Sequence, residues 1–442
     1  MIINRALDTP LYLQLYNYFK NAILSNELPA YTKLPSIRQL ASKHAISKTT
    51  IEKAYNQLSI EGFIQSQPKS GYYVLPIKKS TNNLTKTALS FSTEVTFPNI
   101  AQPVNTFDMD GLKKALNHVV YNQYDALYHP PKSSGENELK DAIMQHLRNE
   151  RGVKGSHLQM IIGSGIQNHL ITLSMILPKR TVGYIVPLFY NAETMFKLLN
   201  YTLVPCQNLD EMLKKSLDLI YISPSNLYPS GDVIPFNERM RLIDYAKKHN
   251  AYILEDDYNY IYRHNAFQIP SIQGLSNAQN VIYIGSFTRQ VLPSFRISYM
   301  VLPASLMTRY NKTDKLTQTV SIIDQLTMAE YIKSGLYQKH LKKLSAFSKK
   351  QNEAMRESLA FLSNSSTIQY AGLDSNLHVL FHFKDPRILN YFSELLSKIP
   401  WYYRRLKEWP NTVLLPYHGF TKNDFSTLTT LLKKLKNESY SQ

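Results

Sequence analysis

Apolar residues recur at helical spacing in the first part of the chain. In residues 11–25 they lie three or four positions apart, which predicts a helix: Leu11, Leu15, Tyr18, Phe19, Ala22 and Ile23. Ser36 is followed three residues later by Gln39, a capping-box pattern that predicts the start of a second helix. A third helix capped by Ser47 has a predicted buried face made of Ile51, Ala54, Tyr55 and Leu58.

The third helix is predicted to end at Gly62, because glycine readily takes the left-handed conformation that closes helices. Two short β segments are predicted next, over 63–66 and 72–75, joined by residues 67–71. Helix, helix, turn, helix and hairpin together predict a winged helix-turn-helix over residues 1–76. The alternative is a small helical domain with a solvated basic face.

The rest of the chain has a different pattern. Residues 77–106 are polar with little periodicity and are predicted to be a linker. From 107 to 437, helical stretches alternate with short apolar runs at 182–186, 217–222, 251–254 and 281–284. This alternation predicts an α/β domain with a mostly parallel sheet covered by helices. A chain of 442 residues is long enough for such a domain beside a small one.

Charge strengthens the expectation of a nucleic-acid partner. The chain carries 50 Lys plus Arg against 33 Asp plus Glu, a net charge of +17. Residues 1–80 alone hold ten basic and four acidic residues, a net +6. We expect double-stranded operator DNA to be the partner. The third helix would lie in the major groove, the basic side chains beside it would contact phosphates, and the wing tip would approach a groove edge. The predicted DNA contacts are Arg38, Ser47, Lys48, Thr49, Thr50, Lys53, Ser70 and Gly71.

The single cysteine, Cys206, excludes an intrachain disulfide and fits a reducing compartment. The first ten residues lack the long apolar segment of a signal peptide. Neither is there an uninterrupted apolar run long enough to cross a membrane. We therefore expect a cytoplasmic protein with no membrane partner.

Several N-terminal residues carry a family resemblance. Leu34-Pro35-Ser36-x-Arg38-x-Leu40-Ala41 is followed by Ser47-x-Thr49-Thr50, Ala54-Tyr55, Glu61-Gly62 and the Ser70-Gly71 wing. This set resembles the GntR family of bacterial transcription regulators over about the first 76 residues. One departure is Glu52, where some members carry a basic residue that contacts phosphate.

The larger part resembles fold type I aminotransferases. The matching segments are Tyr128-His129-Pro130-Pro131, Ile162 to Gln167, Ser223 to Gly231, Leu254 to Tyr258, and Tyr283 to Arg289. Combined with the DNA-binding part, they resemble the MocR subfamily of GntR regulators. The resemblance implies a pyridoxal phosphate transferase-like α/β domain with a smaller C-terminal α+β subdomain, and a homodimer on paired half-sites.

The same resemblance implies roles around a pyridoxal phosphate site. Asp256 would pair with the pyridine nitrogen, and Tyr258 would donate a hydrogen bond to the ring hydroxyl. Ser286, Thr288 and Arg296 would hold the phosphate. The turn at Gly165, Ile166 and Gln167 would present amides to it, and Phe189 or Tyr190 would stack on the ring.

Three positions depart from the aminotransferase pattern. Arg289 stands at the Schiff-base lysine, and residues 281–303 contain no lysine that could replace it. A guanidinium stays protonated and cannot attack the aldehyde. Ile166 stands where a polar residue commonly faces the phosphate, and Gly419 aligns with the arginine that usually clamps a substrate carboxylate. We therefore predict no catalysis and no covalently bound cofactor, so that pyridoxal phosphate could bind only non-covalently.

Two interpretations of Arg289 stay open. It could bind a phosphate or carboxylate in a repurposed sensor pocket for an anionic small molecule, or it could be a relic in a domain kept as a dimer scaffold. The alternative class of protein is an active transaminase fused to a DNA-binding domain, and Arg289 disfavours it. His378 and His382 alternate along an apolar strand, but no third ligand lies nearby, so no metal site is predicted.

Overall fold

A computed structural model describes residues 9–68, 70–76, 107–177, 181–262, 269–313, 318–375 and 377–438. The chain divides into two compact units, Met1–Val95 and Thr96–Gln442. The predicted linker at 77–106 and Lys69 in the wing lie outside the described residues. The domain limits 1–76 and 107–437 therefore stay predictions.

The N-terminal unit is a winged helix-turn-helix, as predicted. Its elements are α1 (Leu11–Leu24), α2 (Ile37–His44), α3 (Lys48–Ile60), β1 (Ile64–Gln67) and β2 (Gly71–Val74). Leu15, Ile51 and Leu58 lie at the centre of its core and are fully buried. The capping box is confirmed: Ser36 Oγ accepts the Gln39 amide at 3.2 Å, and Gln39 Oε1 accepts the Ser36 amide at 3.0 Å.

Both strands of the wing differ from the prediction by one residue. Ile64 pairs with Val74 and Gln67 pairs with Gly71. The first strand begins after Phe63 because the Phe63 amide still closes α3 by donating to the Leu58 carbonyl at 2.9 Å. Gly62 has a φ of 75°, the left-handed conformation predicted for it.

The larger unit is built on a seven-stranded sheet of order β3-β9-β8-β7-β6-β4-β5. Its strands are β3 (Met160–Gly163), β4 (Thr181–Ile185), β5 (Thr202–Cys206), β6 (Leu219–Ile222), β7 (Tyr252–Asp256), β8 (Val281–Ser286) and β9 (Ser298–Val301). All neighbours are parallel except that β9 is antiparallel to both β3 and β8. The predicted mostly parallel sheet is confirmed.

Helices cover both faces of this sheet. They are α4 (Met109–Asn122), α5 (Asn137–Arg151), α6 (Ile166–Ile176), α7 (Tyr190–Leu198), α8 (Leu209–Met212), α9 (Phe236–His249), α10 (Ile272–Leu275), α11 (Ala304–Lys312) and α12 (Ile322–Lys333). Alternate residues of a strand point to opposite faces, so Leu254 and Ile282 join one apolar cluster while Ile253 and Val281 join another. Burial on both faces explains why the central strands are almost entirely apolar.

A smaller C-terminal α+β subdomain follows, as predicted. Its antiparallel sheet has the order β10-β11-β13-β12. The elements are α13 (Leu336–Leu359), β10 (Ile368–Ala371), β11 (His378–Phe383), α14 (Pro386–Ser397), β12 (Arg404–Arg405), β13 (Thr412–Pro416) and α15 (Lys422–Glu438). Within the described ranges, no helix is both long and apolar enough to span a membrane.

Candidate DNA interface and ligand pocket

The start of α3 presents the predicted DNA contacts. Lys48, Thr49 and Lys53 are exposed on the side opposite the buried face of the helix. Ser47 Oγ accepts the Thr50 amide at 3.2 Å and lies 2.9 Å and 2.7 Å from the hydroxyls of Thr49 and Thr50. Ser47 and the half-buried Thr50 thus hold the helix end together, while Thr49 and the two lysines extend outward. Arg38 is likewise exposed on α2.

The wing places Ser70 and Gly71 beside two residues that sequence reasoning missed. Ser70 Oγ lies 2.7 Å from the Tyr73 hydroxyl, and Lys33 Nζ lies 5.9 Å from the centre of the Tyr73 ring. A Cβ atom on Gly71 would lie 3.3 Å from Lys33 Cε. Lys33 and Tyr73 form an isolated β-bridge across 40 residues of sequence, so only the fold reveals that this lysine belongs to the wing.

The other candidate site lies at one edge of the seven-stranded sheet. Strands β3, β4, β6, β7 and β8 run the same way, so their carboxyl ends meet there. Gly163 pairs with Ser298, and Ser298 pairs with Ser286, which sets the ends of β3 and β8 on either side of the start of β9.

The predicted phosphate-binding residues are brought together at this edge. Gly165 caps α6 with a φ of 84°, and a Cβ atom there would lie 3.3 Å from Arg296 Nη2. The Gly165 amide donates a hydrogen bond to Ser298 Oγ at 2.7 Å and is therefore already paired within the protein. The role of Gly165 is to leave room for the Arg296 guanidinium. Ser286 Oγ donates to Thr288 Oγ1 at 2.9 Å. Ile166 packs partly against an apolar cluster, whereas Gln167 is exposed.

Arg289 lies against the aromatic wall of the pocket. Its Cζ atom is 5.4 Å from the centre of the Tyr258 ring, a cation–π arrangement. The Phe189 ring is nearly parallel to the Tyr258 ring, with centroids 6.3 Å apart, and also contacts Tyr228 edge-on at 5.8 Å. The Tyr262 hydroxyl donates to the Arg289 carbonyl at 2.5 Å and anchors the loop.

Of the two predicted stacking residues, Phe189 joins this wall and Tyr190 lies further out. The Tyr190 side chain is 50% exposed, and Arg404 Cζ lies 5.1 Å from its ring. Arg404 comes from β12 of the smaller subdomain, and no sequence motif marked it. Burial raises the pKa of Tyr228, and the positive charges of Arg404 and Arg289 oppose that rise. Both guanidinium groups are therefore close enough to favour the ionised form of the Tyr228 phenol.

Asp256 is the last residue of β7 and is buried. It is 6% exposed, and its Oδ2 accepts a hydrogen bond from the Tyr221 hydroxyl at 2.5 Å. Burial raises its pKa to about 6, although Tyr221 and Arg289 both favour the charged form. Sequence reasoning missed Tyr221, which stands on β6 next to β7.

A buried ion pair joins the segments around this site. Arg151 Nε donates to Asp257 Oδ2 at 2.6 Å, and both side chains are almost fully buried. The same oxygen accepts the Tyr283 hydroxyl at 2.8 Å, while Arg151 Nη2 donates to Ser225 Oγ at 2.6 Å. This network ties α5, β8 and the loops after β6 and β7 to one another.

The two histidines on β11 have ordinary structural partners. His378 Nε2 lies 2.5 Å from the Pro229 carbonyl oxygen, and His382 Nδ1 lies 3.1 Å from Thr412 Oγ1. Burial lowers the pKa of His378 to about 4. In the part of the chain that the structure describes, no group of three His, Cys, Asp or Glu residues is placed to hold a metal ion.

A winged helix-turn-helix joined to an aminotransferase-type fold defines a class of DNA-binding regulators, and the comparisons agree. The chain matches the bacterial regulatory proteins of the gntR family over residues 11–74 and the aminotransferase class I and II family over residues 100–399. Of the solved structures, the multiple substrate aminotransferase from Thermococcus profundus is similar with a TM-score of 0.68 and 17% identity. That match covers 77% of this chain and 90% of the other, and it establishes the fold alone.

Two curated relatives identify the family. The chain is 34% identical over 373 residues to the HTH-type transcriptional regulator YdeL of Bacillus subtilis (strain 168), covering 81% of each protein. It is 27% identical over 374 residues to the probable rhizopine catabolism regulatory protein MocR of Rhizobium meliloti, covering 78% of this chain and 76% of that one. The chain belongs to the GntR family of bacterial transcriptional regulators, in its MocR subfamily.

The residues of the pocket do not fit a covalently held pyridoxal phosphate. The side chain at the attachment position is a guanidinium that already contacts the Tyr258 ring. Unlike a lysine amine, it has no basic lone pair with which to attack an aldehyde. Two pairs of the residues predicted to hold a phosphate lie close together: a Cβ atom on Gly165 would lie 3.3 Å from Arg296 Nη2, and Ser286 Oγ donates to Thr288 Oγ1.

Proposed function

We propose that this regulator reads its operator as a homodimer and that its larger unit senses a small anion without catalysis. The observation that carries the proposal is the placement of the Arg289 guanidinium on the Tyr258 ring, close enough to Asp256 to favour its charged form, at the sheet edge where Arg296 lies beside Gly165. Desolvated guanidinium groups bind carboxylates and phosphates through paired hydrogen bonds. The pocket is therefore proposed to act in recognition, with ligand binding coupled to the DNA-bound state.

The electrostatics of the pocket favour an anion over a neutral or cationic ligand. Three positive charges lie at this edge of the sheet, on Arg289, Arg296 and Arg404. The charge on Arg289 favours the ionised form of the Asp256 carboxylate. With a pKa of about 6, Asp256 can become neutral at slightly acid pH. A phosphate or carboxylate would offset the remaining positive charge in a partly buried site.

The homodimer is supported by an apolar surface on α4 and the turn after it. Five large side chains there are between 37% and 84% exposed: Leu116, Val120, Tyr121, Tyr124 and Tyr128. A cluster of exposed aromatic and aliphatic side chains of this kind is typical of subunit interfaces. A second copy of the chain is the proposed occupant, and analytical ultracentrifugation of Tyr121→Glu against the unmodified protein tests it.

The anion proposal is tested by thermal shift with inorganic phosphate, pyridoxal phosphate and small dicarboxylates as probes. Ligand at about one hundred times its Kd stabilises the folded state by about 2.7 kcal/mol, a measurable rise in Tm. The rise is expected for the unmodified protein and for Arg405→Gln, whose side chain is exposed and contacts Asn390 instead. Arg289→Gln should abolish it. Equal shifts in all three proteins, or none with any probe, would contradict an anion-sensing role for Arg289.

A further inference from the structure

Five lysines occupy one face of α13: Lys339, Lys342, Lys343, Lys349 and Lys350. All five are exposed, and at 100° per residue they fall within about one third of the helix circumference. The opposite face is buried through Tyr337, Leu341 and Leu344. We call these five residues the lysine stripe. From Lys339 to Lys350 the stripe covers 12 residues and is about 16 Å long, from 11 rises of 1.5 Å.

In the part of the chain that the structure describes, lysines beside other helices of this unit form ion pairs that the lysine stripe does not form. Lys215 pairs with Glu211 and Lys398 with Glu394, each one helical turn away. Between residues 331 and 352 there is no acidic residue, and no ion pair within the described ranges involves the stripe. The first acidic residue beyond the stripe is the exposed Glu353, which follows Lys349 by four positions and Lys350 by three on the same helix.

The concentration of lysines on one face of α13 lowers the stability of the helix. Like charges three or four residues apart repel, by about 0.2–0.5 kcal/mol for each pair. Since residues 1–80 account for +6 of the net +17, the remainder of the chain carries +11, and the stripe concentrates five of those charges on one surface. A dense polyanion would relieve this repulsion.

We propose that the lysine stripe binds the phosphate backbone of duplex DNA, as a second, sequence-independent contact beside the winged helix-turn-helix. The proposal rests on the DNA binding proposed above. Duplex DNA carries one charge per about 1.7 Å of axis, so a 16 Å stripe faces several phosphates at once. Lysine is a flexible point charge that suits phosphate contact without base recognition.

The test compares three pairs of Lys→Gln substitutions that each remove two charges. The stripe variant is Lys343→Gln with Lys350→Gln. The matched control is Lys247→Gln with Lys248→Gln, at the exposed end of α9. The third pair, Lys48→Gln with Lys53→Gln, lies on α3. Gln is close to Lys in helix propensity, so all three should keep their folded CD spectra.

The readout is fluorescence anisotropy of a labelled random-sequence duplex of about 60 base pairs, titrated at several salt concentrations. Each lost phosphate contact lowers the slope of log K against log salt by about 0.9, so the stripe variant should lose about 1.8 for each protomer that contacts the duplex. The control should match the unmodified protein. A stripe variant that keeps the full slope while the α3 pair loses slope would overturn this inference alone. Equal losses in stripe and control variants would overturn it too. No loss for the α3 pair would instead contradict the DNA contacts proposed for α3.

Discussion

Replacing Asp256 by Asn should stabilise the protein at neutral pH and not at acid pH. The Asp256 carboxylate is 6% exposed, and its burial raises the pKa from 3.8 to about 6. Because a pKa shift of one unit corresponds to 1.36 kcal/mol, a shift of about two units means that the charged form costs the folded state about 3 kcal/mol.

The sign follows from the two pKa values. Above pH 6 the carboxylate is charged in both the folded and the unfolded chain, so the folded state bears the full cost of burying it. Below about pH 4 it is neutral in both states, and the cost disappears. Asn has nearly the same shape, and its amide oxygen can still accept the hydrogen bond from Tyr221. The gain from Asp256→Asn is therefore about 3 kcal/mol at pH 8 and falls toward zero at pH 4.

The assay is thermal unfolding followed by circular dichroism between pH 4.5 and 8, in buffers without phosphate or carboxylate. For a unit of this size, 3 kcal/mol corresponds to a Tm difference of roughly 5 °C. Asp110→Asn is the matched control, since that side chain is 89% exposed. Tyr221→Phe should act in the opposite direction at pH 8, because it removes the bond that favours the charged form. A gain that is equal at pH 5 and pH 8 would refute the reasoning, as would destabilisation at pH 8.

Three further predictions concern single contacts. Ser47→Ala removes the N-cap of α3 and should cost the N-terminal unit about 1 kcal/mol, measured by urea unfolding. Thr49→Ala should relax the sequence preference in selection from a random duplex pool. Lys53→Ala should weaken binding to all duplexes alike and flatten the salt dependence of binding. Equal losses of affinity in both variants, with unchanged salt slopes, would contradict both assignments. Arg151→Met leaves Asp257 charged and buried, so it should cost about 3–5 kcal/mol, and adding Asp257→Asn should restore much of that loss.

The N-terminal unit could be predicted closely because its signals are local. Capping residues, helix spacing and Gly62 each act within a few positions, and the structure places them as the pattern indicates. The predicted limits of the two wing strands were wrong by one residue, because Phe63 serves both the end of α3 and the start of the hairpin. Local patterns do not distinguish those two roles.

The pocket was predictable only in part. Asp256 and Ser286 stand at strand ends that the apolar runs marked in advance. Arg404, Tyr221 and the Arg151–Asp257 pair depend on contacts between residues far apart in sequence; the last pair is separated by 106 positions. No periodicity or motif encodes such contacts, because they arise from how the sheet and the smaller subdomain pack.

Covalent capture of pyridoxal phosphate shows whether position 289 decides the chemistry of the site, when the unmodified protein is compared with Arg289→Lys. Each protein is incubated with pyridoxal phosphate, reduced with borohydride and analysed by absorbance and peptide mass spectrometry. Our account predicts no site-specific adduct in the unmodified protein and an adduct at position 289 in the variant, since the variant restores the nucleophilic amine to the pocket. A stoichiometric adduct on any lysine of the unmodified protein would contradict the proposal that this site works without covalent chemistry.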